Sequence, residues 1–181
     1  MARPRVRPRD AATGRLAALD LAGLRLARTV GHTPRAERAV AAYTRLGQHG
    51  ALWLALGATG VALDRQRRAQ WRRATRAVVL ANAANQVVKL AVRRRRPQLP
   101  ELPPLVGTPT QLSFPSAHSA TSAAAVHAFW HLAPPLPLRA AATAMALSRV
   151  YVGVHYPSDI VAGVLLGAVI GNRLGPGSPA R

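Results

Sequence analysis

The chain has 181 residues, with 25 Lys+Arg against 6 Asp+Glu, a formal net charge of +19, and no cysteine. That length fits one domain. The missing cysteines exclude a disulfide scaffold, a Cys-ligated zinc site and thiol catalysis. Hydrophobic residues at 49% argue against a disordered basic chain, and aromatics at 4% offer no stacking platform for nucleic acid.

Arginines at positions 3, 5, 7 and 9 alternate with Pro, Val and Ala, so residues 1–14 are expected to be a basic disordered tip. Residues 15–47 follow as two amphipathic segments. The first, 15–30, is apolar but interrupted by Asp20, Arg25 and Arg28; the second sets Ala36, Ala39, Val40, Tyr43 and Leu46 at helical spacing. Both read as interfacial helices whose arginines are drawn to anionic headgroups. No clean apolar run follows the basic tip, so no cleavable signal peptide is expected.

From residue 48 the charges fall in blocks separated by long Ala/Leu/Val runs. Residues 116–138 contain no Asp, Glu, Lys or Arg, 140–154 carry only Arg149, and 160–172 carry none. Such runs approach the ~17–25 residues of a membrane-crossing helix. They predict five spans, at 48–64, 74–92, 116–134, 138–155 and 158–174. The expected fold is therefore all-α: a membrane helical bundle of about five spanning helices over 48–174, plus the N-terminal interfacial helices and a mobile tail at 175–181. The mean hydropathy of +0.06 is low for such a protein. A charge-free run is nevertheless out of place on a soluble surface helix, which needs a polar face. The arginine blocks at 65–76 and 93–96 fall on opposite sides of the membrane in this layout, so the positive-inside rule assigns no orientation.

Ionisable residues beside a span are costly and point to function. Lys89 and Arg93–Arg96 close the second span, Ser116–His118 open the third, Arg149 and His155 close the fourth, and Asp159 opens the fifth. In a chain that crosses back and forth, all four places share one face of the membrane. The result is a cationic pocket with two imidazoles, suited to a phosphate group. Lys89 and Arg96 are seven residues apart, so a continuing helix, stopped by Pro97, would put them on one face. Ser116 is placed to cap the helix that follows and to create an anion site at its N-terminus. Lys89 is the only lysine in an arginine-rich chain, which hints that a compact point charge is required there. Asn82, Asn85 and Gln86 are expected to hydrogen-bond between helices, Trp53 and Trp71 to serve as interface anchors or in packing, and Arg93–Arg95 mainly to face headgroups.

Three segments carry a family resemblance. Lys89 through Arg96-Pro97 fits K-x6-R-P, Pro115-Ser116-Ala117-His118 is close to P-S-G-H, and Ser148-Arg149 through His155 and Asp159 fits S-R-x5-H-x3-D. In this order they resemble the type 2 phosphatidic acid phosphatase family, which shares its site with vanadium-dependent haloperoxidases. The departure is Ala117, where the family usually has Gly.

The resemblance implies a set of roles. His155 would be the nucleophile, with Asp159 fixing its tautomer, and His118 would be the acid and base. Lys89, Arg96, Arg149, Ser116, Ala117 through its N–H, and Ser148 would bind phosphate, with Ser148 also placed to position Arg149. No metal or other cofactor is expected. The implied enzyme is an integral lipid phosphatase of the bacterial cytoplasmic membrane. Its candidate substrates are polyprenyl phosphates or diphosphates, phosphatidic acid, phosphatidylglycerol phosphate and polyprenyl-phosphosugar phosphates, and no nucleic-acid partner is expected. Two alternatives remain at this stage: a vanadate-dependent haloperoxidase-like enzyme, and a non-enzymatic basic membrane protein.

Overall fold

The computed structural model describes residues 8–175, with side chains from residue 14 onward. The described residues form helices α1 (Pro8–Thr29), α2 (Pro34–Leu46), α3 (Ala51–Leu63), α4 (Arg68–Val92), α5 (Ala117–Ala128), α6 (Pro135–Tyr151) and α7 (Pro157–Leu174), with a 3-10 turn at Gln48–Gly50. An isolated bridge between Arg95 and Leu112 is the one β contact among them. The helix starts are written locally. Thr33 caps α2 ahead of Pro34, Ser116 caps α5, and Pro157 opens α7 with Asp159 in its first turn.

The bundle is built around α5. Ser119–Ala125 and Ala128 are all buried, and α5 touches α3, α4, α6 and α7. Its side chains are almost all Ala, Ser or Thr, which lets its neighbours approach closely. Helix α7 uses this most. Gly163, Gly167 and Gly171 recur every fourth residue along the face it turns to α5. A β-carbon at Gly163 would lie 2.5 Å from the Ser116 carbonyl, one at Gly171 would lie 2.7 Å from the Ala124 carbonyl, and one at Gly167 would overlap the Ala120 carbonyl. Trp53, Trp71, Phe129 and Met145 fill the core between α3, α4, α5 and α6.

This arrangement corrects several expectations. Over 116–134 the helix is only 12 residues long, about 18 Å at 1.5 Å per residue, against a hydrocarbon core of about 30 Å. The run lacks charge because other helices enclose it, not because lipid does. The helices within 48–64 and 138–155 have 13 and 17 residues, and the 25-residue α4 carries five cations. No helix among the described residues is long and apolar enough to cross a membrane. Of the two roles expected for Trp53 and Trp71 the structure shows packing: both are buried, their indole N–H groups donating to Ser122 Oγ and Asp64 Oδ2, each at 3.1 Å.

Helix α1 is also turned the other way round from an interfacial helix. It packs on α6 and α7. Leu24, Asp20 and Arg28 are buried, while Leu16, Leu19 and Leu26 are exposed. Arg28 donates to the carbonyls of Tyr151 and Pro103, so its charge serves the fold and not a headgroup. The helix starts at Pro8, inside the segment expected as a disordered tip; residues 1–7, and 176–181 of the expected tail, lie outside the described residues.

Candidate active site

Lys89 in the last turn of α4, Arg96 in the loop beyond it, Ala117 and His118 at the start of α5, Arg149 in the last turn of α6 and His155 in the α6–α7 turn all line one cavity of about 250 Å³. Six of the nine residues marked in the sequence therefore meet around one space. Ser116, Ser148 and Asp159 stand behind it.

His155 and Asp159 are four residues apart, and the N-terminal turn of α7 brings them together. Imidazole Nδ1 lies 3.3 Å from Asp159 Oδ2. A carboxylate can only accept, so Nδ1 carries the proton and Nε2 is the unprotonated, accepting nitrogen. A guanidinium can only donate, so Nε2 accepts from Arg96 Nη1 at 3.1 Å, beside the other cations that line the cavity. Asp159 has further support: Oδ2 accepts the Tyr156 N–H at 2.9 Å and Oδ1 accepts from Arg94 Nη1 at 2.9 Å.

Arg96 does not reach the cavity on a continuing helix, as the seven-residue spacing implied. Arg93 adopts left-handed backbone, with φ 55°, and ends α4. The chain then runs extended, with Ser113 N donating to Arg94 O and Arg96 N to Gln111 O. An extended strand has a period of two. Arg94 and Arg96 consequently turn inward while Arg93 and Arg95 are exposed. Arg96 is fixed by donating to Thr110 O and Val154 O. Burial pulls its guanidinium down to about 10, Asp159 opposing, so it stays charged at neutral pH.

Arg94 was expected to face headgroups, and that is corrected. It bridges two buried carboxylates, Asp159 at 2.9 Å and Asp20 of α1 at 2.7 Å. Burial alone would weaken its charge, but the hydrogen bond to Asp20 and the nearby Asp159 raise its pKa overall. Asp20 also accepts from the N–H and hydroxyl of Ser158 at 2.9 and 2.6 Å. The carboxylate that orients His155 is thus itself held by a guanidinium that α1 holds in turn. A signal for Asp20 was present in the sequence: a lone acid in an apolar helix must find a partner.

On the other side of the cavity the ligands converge on Thr44, near the end of α2. Its hydroxyl accepts from Arg149 Nη1 at 2.6 Å and from Ser148 Oγ at 2.9 Å. Its carbonyl lies 3.1 Å from His118 Nε2. A carbonyl only accepts, so His118 Nε2 is protonated and Nδ1 is the nitrogen left for proton transfer. Arg149 Nε is buried with no partner among the described residues. Nothing in the sequence pattern marked Thr44, because a single threonine on an amphipathic helix carries no motif.

The remaining predicted ligands divide. The Lys89 ammonium lies 3.3, 3.3 and 3.0 Å from the carbonyls of Leu112, Ser113 and Pro115. It holds that loop and gives the cavity its charge more than its protons. Ser116 is fully buried; its Oγ accepts from Ser119 N and Ser119 Oγ, and its own N–H binds the Asp159 carbonyl. It joins the starts of α5 and α7 and does not face the cavity. Ser148 likewise serves Thr44 and Met145 O. With Ser119 N and Ala120 N taken by Ser116, the first turn of α5 keeps the N–H groups of Ala117 and His118 at the cavity, the arrangement that binds anions. Among the described non-glycine residues only His49 and Arg93 have positive φ, so Ala117 needs no glycine-like backbone. Among the described residues no group of three or more His, Cys, Asp or Glu could hold a metal ion.

The sequence matches the PAP2 superfamily model over residues 71–174. It is 45% identical over 130 residues to the decaprenylphosphoryl-5-phosphoribose phosphatase of Mycobacterium tuberculosis, covering 71% of this chain and 72% of that protein. It is 36% identical over 99 residues to the lipid A 1-phosphatase of Rhizobium johnstonii, covering 50% and 41%. Among solved structures, Aquifex aeolicus LpxE superposes with a TM-score of 0.71 at 24% identity, covering 84% of this chain and 92% of that one. The PAP2-type phosphatidylglycerolphosphate phosphatase of Bacillus subtilis superposes at 0.69 and 22%, covering 90% and 83%.

Proposed function

The chain belongs to the PAP2 superfamily, and from that premise we propose that this lipid-phosphate phosphatase is embedded in the bacterial cytoplasmic membrane and removes the terminal phosphate of a polyprenyl-phosphosugar phosphate by way of a phosphohistidine. The observation that carries the chemistry is the His155 ring. Its Nδ1–H is committed to Asp159, and its unprotonated Nε2 accepts from Arg96, a guanidinium that a bound phosphoryl group would draw to itself, in the cavity that Arg149 and Lys89 also line. The relatives of 44–45% identity from two mycobacterial species support the substrate class.

In this reading Arg96, Arg149 and the Ala117 and His118 N–H groups bind the phosphoryl oxygens and neutralise the charge of the transition state. Lys89 adds field. The lone pair of His155 Nε2 attacks phosphorus as the P–O bond to the leaving alcohol breaks. As an imidazolium, with a proton on Nδ1 as well as Nε2, His118 gives the Nδ1 proton to the departing oxygen, then takes one from the water that splits the P–N bond and releases phosphate, which restores the imidazolium. Asp159, held by Arg94, stabilises the positive charge that develops on His155. Ser116 and Ser148 act through the groups they support.

Membrane embedding is supported by the apolar side chains that three helices leave on the surface. Leu16, Leu19 and Leu26 on α1, Val79, Leu80, Val87 and Leu90 on α4, and Val161, Val164, Leu165 and Val169 on α7 are exposed, whereas Asp20, Arg28, Asn85, Lys89 and Asp159 are buried. An exposed apolar surface of this extent marks contact with an apolar phase. The test is phosphate release by detergent-purified protein from a panel of lipid phosphates in the presence of EDTA. Turnover of the phosphosugar lipid is expected. Folded protein that releases phosphate from none of the lipids refutes the phosphatase reading, and loss of activity to EDTA refutes its metal-free mechanism.

A further inference from the structure

The cavity holds more polar groups than the phosphoryl chemistry uses. Asn82 and Gln86 lie one turn apart on α4, and both line it. The end of α2 and the turn after it bring Arg45, Gln48 and His49 to the same space. None of these five side chains makes a hydrogen bond among the described residues. Asn85, between the two on α4, differs: its amide donates to Pro115 O at 3.1 Å.

The position of Asn82 makes its free amide informative. It lies ten residues inside the end of α4, about 15 Å along the helix. Half-buried and without a protein partner, that amide sits in the cavity wall with its donors and acceptor available to whatever fills the space. His49 adds a second, independent sign. It is a non-glycine residue held in left-handed backbone, φ 53° and ψ 18°, a conformation that recurs at ligand clamps. The cavity, at about 250 Å³, has room for about eight waters at ~30 Å³ each, so a phosphoryl group fills only part of it.

We infer that Asn82, Gln86, Gln48 and His49 form a headgroup subsite that binds the hydroxyls of the sugar bearing the scissile phosphate, while Arg45 meets the phosphodiester that joins that sugar to its lipid. An amide both donates and accepts, as a hydroxyl does. A diacylglycerol phosphate offers ester oxygens, which only accept and leave half of such a wall unpaired. The subsite is thus a device for selecting the substrate, and it rests on the phosphatase reading given above.

The experiment uses the full chain in detergent. kcat/KM is measured for a polyprenyl-phosphoribose 5-phosphate and for phosphatidic acid, in wild type, Asn82→Leu and Gln86→Leu. The preference for the sugar lipid is expected to fall ~10- to 100-fold in each variant, because a site built to bind hydroxyls discriminates through them. A measurement on wild type alone removes any dependence on how the variants fold: free ribose 5-phosphate should compete at a concentration at least ~10-fold below that of ethyl phosphate, which has the same charge and no hydroxyl. An unchanged preference in folded variants, or equal competition by the two esters, overturns the subsite. Turnover that survives His155→Ala overturns the reading of the site beneath it, and the subsite falls with it.

Discussion

In the proposed mechanism His155 acts through a division of labour between two nitrogens, one donating to Asp159 and one unprotonated and accepting from Arg96. Replacing it by Ala should lower kcat/KM by at least ~10³-fold in a phosphate-release assay, since the covalent route is lost. Thr44→Val removes the hydroxyl that fixes Arg149 but leaves the carbonyl that holds His118. It should cost ~10- to 100-fold in kcat/KM, about 1.4–3 kcal/mol of transition-state binding, with folding retained. Ala117→Gly, by contrast, should change kcat/KM by less than ~3-fold, because the backbone there needs no positive φ. At this scale the sequence made most of the cavity legible, because Lys89, Arg96, His118, Arg149 and His155 are ionisable residues at the edges of apolar runs. Ser116 stands one layer further back than expected, since spacing cannot tell a side chain that faces a ligand from one that supports its neighbour, whereas Ser148 takes the supporting one of its two expected roles. Thr44 was invisible because its role comes from a contact 105 residues away in the chain.

Helix α1 is the element whose role differs most from its pattern. Its buried acid does not wait for a headgroup; it holds Arg94, and through Arg94 the carboxylate behind His155. Asp20→Asn keeps acceptor and shape for Ser158 but removes the charge opposite Arg94. It should lower stability by about 2–3 kcal/mol, read as a drop in thermal midpoint, and reduce activity in the protein that remains folded. Gly167→Val should be worse, because its side chain would enter the α5 backbone; a loss of more than about 3 kcal/mol, or failure to fold, is expected. The sequence marked α4, α6 and α7 through their apolar runs. It overread the length of α5, because a helix enclosed by neighbours and a helix enclosed by lipid both lack charge. The path from Lys89 to Arg96 was misread for a related reason: a spacing of seven suits two helical turns, and nothing in a run of four arginines shows that the third period is two and not 3.6.

At the scale of the whole molecule, the described helices pack an apolar core beside a buried polar network at the candidate site and leave Leu and Val side chains exposed on α1, α4 and α7. The +19 charge is not what binds it to the membrane in this account. High salt screens surface charge, so a high-salt wash should leave the protein in the membrane fraction, and only detergent should release it. All of this serves one proposition, that cations from separated parts of the chain gather around a phosphoryl group within reach of His155 Nε2. The most direct measurement is rapid quenching of turnover on a labelled lipid phosphate, followed by location of the label on the protein. The account predicts an acid-labile, base-stable phosphoryl group on Nε2 of His155, absent from His155→Ala. Turnover without any phosphoenzyme, or a label that persists in His155→Ala, would contradict it.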